Sequence, residues 1–272
     1  MKKYYFLLFG LLCFSVNPLK AQEKVLLNFN KANGAFPQFN SLTLFGNMLY
    51  GMTFQGGLHD SGCIFSIDTN GNGYKDLLDF NGTNGIWPDG SLKFSGNIMY
   101  GMAEQGGAYG YGCIFSIHTD GSGYSKIFDF NKTDGAYPIG DITLSGNMMY
   151  GMTSGGGANG GGCIFSVDTN GNGYQDLYDF YFLSGGQPEG DLTLSGNILY
   201  GMTYWGGGSA DAGTIFSIQT NGNAFQVLHT FGGIDGGWPP GSLILSGNLT
   251  ITFMRAVCLI PPTVVPVARL SN

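Results

Sequence analysis

The chain has 272 residues, of which only 11% are charged, and it carries a formal net charge of −7. No basic stripe is present that would neutralise phosphates, so the composition excludes a nucleic-acid-binding role. Its 48 glycines and few charges indicate a surface built from Gly, Asn, Ser and Thr rather than from ion pairs.

The N-terminal residues have the order of a secretory signal peptide. A basic start at Lys2 and Lys3 is followed by an apolar run over residues 4–16, and Ala21 precedes the polar Gln22. The run is shorter than the roughly 20 apolar residues that span a bilayer. We therefore expect residues 1–21 to be cleaved, no transmembrane segment to remain, and the mature chain to be periplasmic, surface-bound or extracellular.

Tandem repetition dominates the rest of the sequence. Gly-Asn pairs recur every 50 residues, at Gly46-Asn47, Gly96-Asn97, Gly146-Asn147 and Gly196-Asn197. A second word, Gly-Cys-Ile-Phe-Ser, starts at residues 62, 112 and 162 and returns as Gly-Thr-Ile-Phe-Ser at residue 213. A period of this length is typical of propellers, solenoids and arrays.

Within the second copy, turn signals separate four short strand patterns. They cover residues 91–95, 98–102, 113–117 and 124–130. Four antiparallel strands in one repeat are the content of a propeller blade. The alternative, a β-helix, has shorter coils and needs no hairpin in every turn. The sequence thus predicts an all-β propeller over residues 22–248, with four intact four-stranded blades and a broken fifth.

The mature chain starts in the middle of a repeat. Residues 25–30 resemble residues 77–81 and 127–131, which are predicted fourth strands. We expect this orphan strand to be the outer strand of the blade that contains residues 242–245, because such pairing closes the ring and removes an exposed edge.

The repeat pattern is lost after Asn248, and residues 249–272 contain no glycine. With free choice of synonymous codons, a one-base shift lets residues 253–270 be read as Tyr-Glu-Gly-Gly-Val-Pro-Asp-Thr-Thr-Asn-Gly-Gly-Thr-Gly-Gly-Thr-Ala, which is a repeat loop. We therefore expect the tail to be frameshifted and not native, and the fifth blade to lack its inner strands.

Three cysteines share one repeat position, at Cys63, Cys113 and Cys163, and Thr214 fills it in the fourth copy. Equivalent residues of neighbouring blades lie too far apart for a disulfide. These cysteines are interpreted as small buried core residues that stay reduced.

Metal and cofactor motifs are weak. Residues 68–79 and 168–179 have the spacing of a calcium loop, but His118 and Lys126 fall in the same loop of another copy, which favours a hairpin turn. A Gly-rich string at residues 155–160 opens no helix and indicates a loop. We predict no metal and no cofactor.

Acid pairs such as Asp76 and Asp79 have the chemistry of glycoside hydrolysis, although solvated acids beside a turn are the simpler interpretation. Aromatic residues precede proline at Phe36, Trp87, Tyr137 and Trp238, with Gln187 as the exception. Such rings could stack on sugars, but they are interpreted as wedges between blades.

Ligand contact is predicted where the copies disagree, because packing fixes the scaffold positions. The variable residues enter or lie within the loops between the second and third strands of each copy. The candidate ligand-binding residues are Phe54, Gln55, His59, Glu104, Gln105, Tyr109, Tyr111, Tyr204, Trp205 and Asp211.

Residues 199–203, the pair Gly206-Gly207, residues 213–216 and residues 221–231 together resemble the Gloeo/Verruco (GloVer) tandem repeat, whose pattern is Leu-Tyr-Gly-Thr-Thr, Gly-Gly, Gly-Thr-Val-Phe, Asp-Gly and Leu-His-Ser-Phe. The likeness spans residues 25–248. The chain departs from it by using Met at residues 52, 102, 152 and 202 and Cys at three others. The resemblance implies an exported or surface-anchored bacterial protein, often with a C-terminal sorting signal, and implies no established chemistry.

From these features we expect a secreted, non-enzymatic binding scaffold whose loop rim contacts a glycan or a surface protein. Two alternatives stay open: a glycan-processing enzyme that uses Asp residues on the rim, and a purely structural spacer. An enzyme would need acids that converge from several blades.

Overall fold

The computed structural model describes residues 23–38, 40–181, 183–246 and 250–254, the last five and Ser246 for their backbone only. Within these residues the chain forms five antiparallel sheets, which we call blades, and no helix. The first blade has β1 (Thr43–Phe45), β2 (Met48–Thr53), β3 (Cys63–Asp68) and β4 (Lys75–Asp79). The second has β5 (Ile86–Ser95), β6 (Ile98–Gln105), β7 (Cys113–His118) and β8 (Ser125–Asp129).

The later blades follow the same order. The third has β9 (Ala136–Pro138), β10 (Thr143–Ser145), β11 (Met148–Gly155), β12 (Cys163–Asp168) and β13 (Gln175–Asp179), with β9 extending the inner edge by pairing with β11. The fourth has β14 (Thr193–Ser195), β15 (Ile198–Thr203), β16 (Thr214–Gln219) and β17 (Gln226–Thr230). In the fifth, β18 (Ser242–Ser246) pairs with β19 (Thr250–Met254).

Local sequence explains both types of hairpin in a blade. Gly46 adopts φ 64°, as a two-residue hairpin turn requires, and joins β1 to β2. Between β3 and β4, one carboxylate oxygen of Asp68 accepts the backbone N–H groups of Asn70 and Asn72, at 2.7 and 2.9 Å. Asp168 does the same for Asn170 and Asn172. The residues with the spacing of a calcium loop therefore form a turn in which the first aspartate accepts hydrogen bonds from backbone N–H groups of the same turn.

Consecutive blades pack face to face. A phenylalanine after each outer strand meets a phenylalanine of the next blade's third strand edge-on, with ring centroids 5.4 Å apart for Phe80 and Phe115, 5.3 Å for Phe130 and Phe165 and 5.2 Å for Phe180 and Phe216. Because both sheet faces are covered in this way, β3, β7, β12 and β16 are apolar on both sides. The predicted propeller of four-stranded blades is confirmed.

A belt of hydrogen bonds joins the inner strands of neighbouring blades. The backbone N–H of Ser41 donates to Oγ of Ser91, 2.9 Å away, and the N–H of Ser91 donates to Oδ1 of Asp141. The belt continues from the N–H of Asp141 to Asp191, at 2.6 Å, and from the N–H of Asp191 to Oγ of Ser242, at 3.0 Å. Each blade thus supplies the acceptor for a backbone donor of the blade before it.

At the two ends of the chain the structure differs from the predictions. Residues 25–30 form no strand and lie against the first blade, not beside residues 242–245. In the fifth blade β19 pairs with β18, so the repeat pattern of backbone pairing continues past residue 249. The β-branched residues Thr250, Ile251 and Thr252 favour a strand there. Residues 1–22 and 255–272, with the predicted signal peptide and most of the tail, lie outside the described residues.

The three repeat cysteines are free and buried, as predicted. Oγ1 of Thr53 lies 3.3 Å from the sulfur of Cys63, and Thr153 and Cys163 repeat this contact. In the fourth blade, Thr203 and Thr214 form the same pair at 2.9 Å. In the part of the chain that the structure describes, no helix is long and apolar enough to cross a membrane.

Candidate functional site

The variable loops and the entries to the inner strands lie at one edge of the blades, which we call the loop edge. Neighbouring strands of an antiparallel sheet run in opposite directions. One edge of the sheet therefore holds the start of the first strand, the end of the second, the start of the third and the end of the fourth. Thus loops 54–62, 106–112, 156–162 and 204–213 lie with residues 36–38 and their repeat equivalents. The tight Gly-Asn and Asp-Asn turns lie at the opposite edge.

The residue before each proline at the loop edge has a left-handed backbone. The φ angles are 51° for Phe36, 57° for Trp87, 58° for Tyr137, 48° for Gln187 and 50° for Trp238. This conformation is rare for bulky residues, and residues before proline favour extended backbone. A hydrogen bond to the preceding blade helps to hold it, as from the N–H of Trp87 to the carbonyl of Ser61 at 2.9 Å.

The conformation turns aromatic rings toward the preceding blade. Trp87 stacks on Phe54 with centroids 5.3 Å apart, Tyr137 meets Tyr111 edge-on at 6.0 Å, and Trp238 meets Trp205 at 6.3 Å. Each pair spans the boundary between two consecutive blades, as the wedge interpretation predicts. The rings are not fully covered: Trp238 stays 45% exposed and Phe36 53% exposed. They leave aromatic surface open at this edge.

The other predicted rim residues fall into two groups. Tyr109 is 61% exposed, His59 is exposed, and Tyr204 packs edge-on against Trp205. These side chains are available to a ligand. Gln55 and Gln105 pair with the inner-strand entries through their backbones, and Asp211 accepts the N–H of Gly206 at 2.7 Å. These three shape the loops.

An aspartate on the outer strand anchors each loop of the first three blades. Oδ1 of Asp79, Asp129 and Asp179 accepts the N–H of Leu58, Ala108 and Ala158 respectively, each at 2.7 Å. Asp79 is partly exposed and in addition holds the loop backbone in place. The exact recurrence of Asp at 50-residue intervals was the available signal for this role.

Acids from three blades converge on the inner strands beneath the loop edge. Burial, and next the charge of Glu104, raise the pKa of Asp89 to about 7, with Asp141 and Asp191 adding to the rise. Burial also raises the pKa of Glu104 and of Asp191. Lys93 pairs with Asp141 at 2.6 Å. Of these acids, only Glu104 was among the predicted site residues. The cluster was not predicted from the sequence, because Ser occupies the position of Asp141 in other copies.

Asp141 and Asp191 already accept backbone N–H groups of the belt, so their first task is to join blades. A second acid pair, Asp176 and Asp179, lies on β13, where burial and then Asp179 raise the pKa of Asp176 to about 7. Among the described residues, no group of three or more His, Cys, Asp or Glu side chains has the arrangement of a metal site.

Solved structures show what the chain resembles. It is 17% identical to a chain in the crystal structure of a nidogen/laminin complex, with a TM-score of 0.49, covering 72% of this chain and 64% of that one. A TolB-type protein from Agrobacterium tumefaciens gives 13% identity, a TM-score of 0.49 and coverages of 73% and 66%; TolB from Acinetobacter baumannii gives 16%, 0.45, 68% and 41%. The chain thus spans about two thirds or less of these chains.

No curated protein matches the chain. Its repeats match the Gloeobacter/Verrucomicrobia repeat over residues 11–203 and again over residues 90–256. These matches include the repeated strands, the Gly-Gly words and the loops described above. The chain therefore belongs to the Gloeobacter/Verrucomicrobia repeat family.

Proposed function

We propose that this chain is an exported, non-enzymatic scaffold that binds a glycan through the aromatic side chains of its loop edge. The observation that carries the proposal is the series of half-covered rings at blade boundaries, Phe54 with Trp87, Tyr111 with Tyr137 and Trp205 with Trp238. A ring held from one side is pre-organised and offers its apolar surface to the apolar face of a sugar.

The loops between these rings differ in every copy, while the strands beneath them are nearly the same. Exposed Tyr109 and His59 stand where loop sequence varies, and Asp79 and its equivalents fix the loop backbone. A rigid base with variable tips is the arrangement that repeat proteins use for ligands. Export follows from the signal peptide predicted over residues 1–21.

The test is a glycan array probed with the mature chain, followed by calorimetric titration of the glycans that bind. Trp87→Ala and Trp238→Ala should each weaken binding by roughly three- to tenfold, the amount that an aromatic contact contributes. Phe45→Ala is the matched control, since this half-exposed aromatic lies beside the turn at the opposite edge. No binding to any glycan, or equal loss in all three variants, would contradict the proposal.

A glycan-processing enzyme is the second candidate, and the convergence of Asp89, Glu104 and Asp191 beneath the loop edge favours it. Carboxyl groups with a raised pKa are suited to act as general acids. The backbone hydrogen bonds that Asp141 and Asp191 accept in the belt argue against it. Release of reducing sugar from an array-positive glycan, lost in Asp89→Asn, would establish the enzyme and exclude the passive scaffold. A structural spacer would show neither binding nor hydrolysis.

A further inference from the structure

The boundary between the fourth and fifth blades pairs two tryptophans at the loop edge. The ring centroids of Trp205 and Trp238 lie 6.3 Å apart, and Tyr204 packs edge-on against Trp205 at 5.2 Å. The N–H of Trp238 donates to the carbonyl of Ala212, 2.7 Å away, so its backbone is tied to loop 204–213. Trp238 nevertheless stays 45% exposed. The pair is therefore held in place and still offers open aromatic surface.

A carboxyl group of the loop lies beside this pair. Asp211 is exposed and immediately precedes Ala212, whose carbonyl holds Trp238. Its Oδ1 accepts the N–H of Gly206 at 2.7 Å, which fixes the side chain in the loop. No residue in the described part of the chain bonds to its Oδ2. One oxygen of this carboxylate is therefore available to a ligand that contacts Trp238.

A second carboxyl group lies on the inner segment of the fourth blade. Gly186 pairs with Trp205, and the carbonyl of Gln187 accepts the N–H of Tyr204 at 3.0 Å, so this segment runs beside both aromatic residues. Glu189 follows two residues later. Burial raises its pKa, and among the described residues no hydrogen-bond donor or cation offsets that burial. An ammonium group at the loop edge would supply the missing partner.

No lysine or arginine of this stretch competes for the two carboxyl groups. Residues 183–246 contain four acids and neither Lys nor Arg. Of these acids, Asp191 accepts a backbone N–H of the belt, and Asp235 pairs with His229 at 2.9 Å. Glu189 and Asp211 are the two that remain available at the loop edge. This boundary thus combines open indole rings with uncompensated negative charge.

The other aromatic pairs lack this combination. In the first blade, Gln38 occupies the position of Glu189, beside Phe54. In the second blade, loop 106–112 contains no acid, and Lys132 lies in the turn that follows the outer strand. The negative charge is therefore a property of one boundary and not of the repeat.

We propose, on the basis of the function proposed above, that the glycan carries free amino groups and that Trp205, Trp238, Glu189 and Asp211 form a subsite for an amino sugar. A protonated amino sugar presents an apolar face to an indole ring and an ammonium group to a carboxylate. An ammonium close to an indole ring also gains a cation–π contribution, and its hydrogen bonds to carboxylates are charge-assisted. A neutral sugar would cover Glu189 without giving it a cationic partner.

The hexamers of glucosamine and of N-acetylglucosamine test this inference, because they differ only in the acetyl groups that remove the charge. Calorimetric titration of the mature chain at pH 6, where the free amines are protonated, should give an affinity for the glucosamine hexamer at least about tenfold higher. Raising sodium chloride from about 50 to about 500 mM should weaken only that hexamer, by several-fold, because screening acts on ion pairs. Neither comparison needs a variant, so misfolding cannot explain the result.

Glu189→Gln and Asp211→Asn remove the charges and keep an oxygen acceptor at each position. Each should weaken binding of the glucosamine hexamer by about threefold, and the double variant by about tenfold. Asp120→Asn is the matched control, since it removes the same charge from an exposed turn at the opposite edge, where Asn70 stands in the first blade. This control should bind like the parent chain.

Equal affinity for the two hexamers, or a preference for the N-acetylated one, would overturn the amino-sugar subsite and leave the proposed function in place. Binding of neutral or acidic glycans on the array without binding of the glucosamine hexamer would do the same. Equal weakening by Asp120→Asn and by the double variant would also overturn the subsite, because the overall charge of the chain would then be responsible. Absence of binding to any glycan would refute the proposed function itself.

Discussion

Lys126 and Asp129 form an ion pair of 2.9 Å on the outer strand of the second blade, at the positions that Asp176 and Asp179 occupy in the third. Two carboxyl groups thus stand where another copy has opposite charges. We expect Asp176→Lys to stabilise the protein at pH 8 by about 0.5 kcal/mol, because the pair is partly exposed and screened. For a domain of this size, the thermal midpoint should rise by about 1–2 °C.

The reciprocal change is the control. Lys126→Asp creates the acid pair in the second blade and should lower the thermal midpoint at pH 8. At pH 5 the Asp176→Lys variant should differ less from the parent chain, because Asp176, whose pKa is raised to about 7, is then mostly protonated in the parent. A midpoint for Asp176→Lys at or below that of the parent at pH 8 would be inconsistent with this account.

Asp89 should make stability fall with rising pH. Its folded-state pKa of about 7 lies above the unfolded value of about 3.9, so the folded state holds the proton more tightly. The stabilising effect of that proton is complete below about pH 4 and is lost as the pH rises through 7. Asp89→Asn should therefore reduce the loss of unfolding free energy between pH 5 and pH 8 by about 2 kcal/mol.

Urea unfolding at the two pH values measures this difference. Glu23→Gln, at an exposed residue near the N-terminus, is the control and should leave the pH dependence of the parent chain unchanged. If Asp89→Asn and the parent lose the same free energy between pH 5 and pH 8, Asp89 is not the group responsible.

The three repeat thiols should be chemically inert in the folded protein. Burial raises the pKa of Cys63 to about 11 and those of Cys113 and Cys163 to about 12, so the reactive thiolate is scarce at pH 8. Residues 22–272 with Cys258→Ser retain three of the five cysteines, Cys63, Cys113 and Cys163. A thiol-reactive disulfide reagent should label none of them in the folded protein and all three after denaturation, as read by mass spectrometry. Rapid labelling of the native protein, or a disulfide between any two of the three, would contradict their burial.

Cys163→Thr should be tolerated because Thr214 fills the same position in the fourth blade and bonds to Thr203. We expect a change in unfolding free energy of about 1 kcal/mol or less. Cys163→Leu overfills the site and should cost about 1–3 kcal/mol. Denaturant unfolding of both variants provides the comparison, and an equal cost would argue against the repeat equivalence.

The tail after Asn248 makes a prediction about the gene. Resequencing around codon 249 should reveal a one-base shift that restores the Gly-Gly words of the repeat. The strand β19 does not conflict with this, because strand pairing needs only suitable backbone and β-branched residues. Stop codons in the shifted frame, or a shifted frame without Gly-Gly, would contradict the frameshift.

Strand order and spacing could be predicted from the sequence because each strand is bounded by its own turn residues. The second blade was expected at residues 91–95, 98–102, 113–117 and 124–130, and its strands lie at or within a few residues of these bounds. The inner strand is longer than predicted: β5 begins at Ile86, and an irregular pairing between Asp89 and Lys93 accommodates Pro88 and Gly90.

The site was harder to predict than the strands. Variation between copies is visible along the chain and led to the choice of Tyr109 and Trp205, which both lie at the loop edge. Ligand contact by these residues stays a prediction. The meeting of Asp89, Asp141 and Asp191 is tertiary, since each comes from a different blade and nothing in the local sequence shows how far apart the inner strands lie. The sequence predicted that aromatic residues would pack between blades, but it did not predict the left-handed backbone that directs their rings.

The belt between inner strands has a consequence for how such a gene can change. Ser91 receives a backbone donor from Ser41, and Asp141 receives the same kind of donor from Ser91, so hydroxyl and carboxylate acceptors are interchangeable at this position. Each junction between blades therefore consists of a backbone N–H donor of one blade and a side-chain oxygen acceptor of the next. Recombination that duplicates or deletes one whole 50-residue unit would leave every remaining junction chemically intact, so the number of copies can change while the variable loops diversify independently.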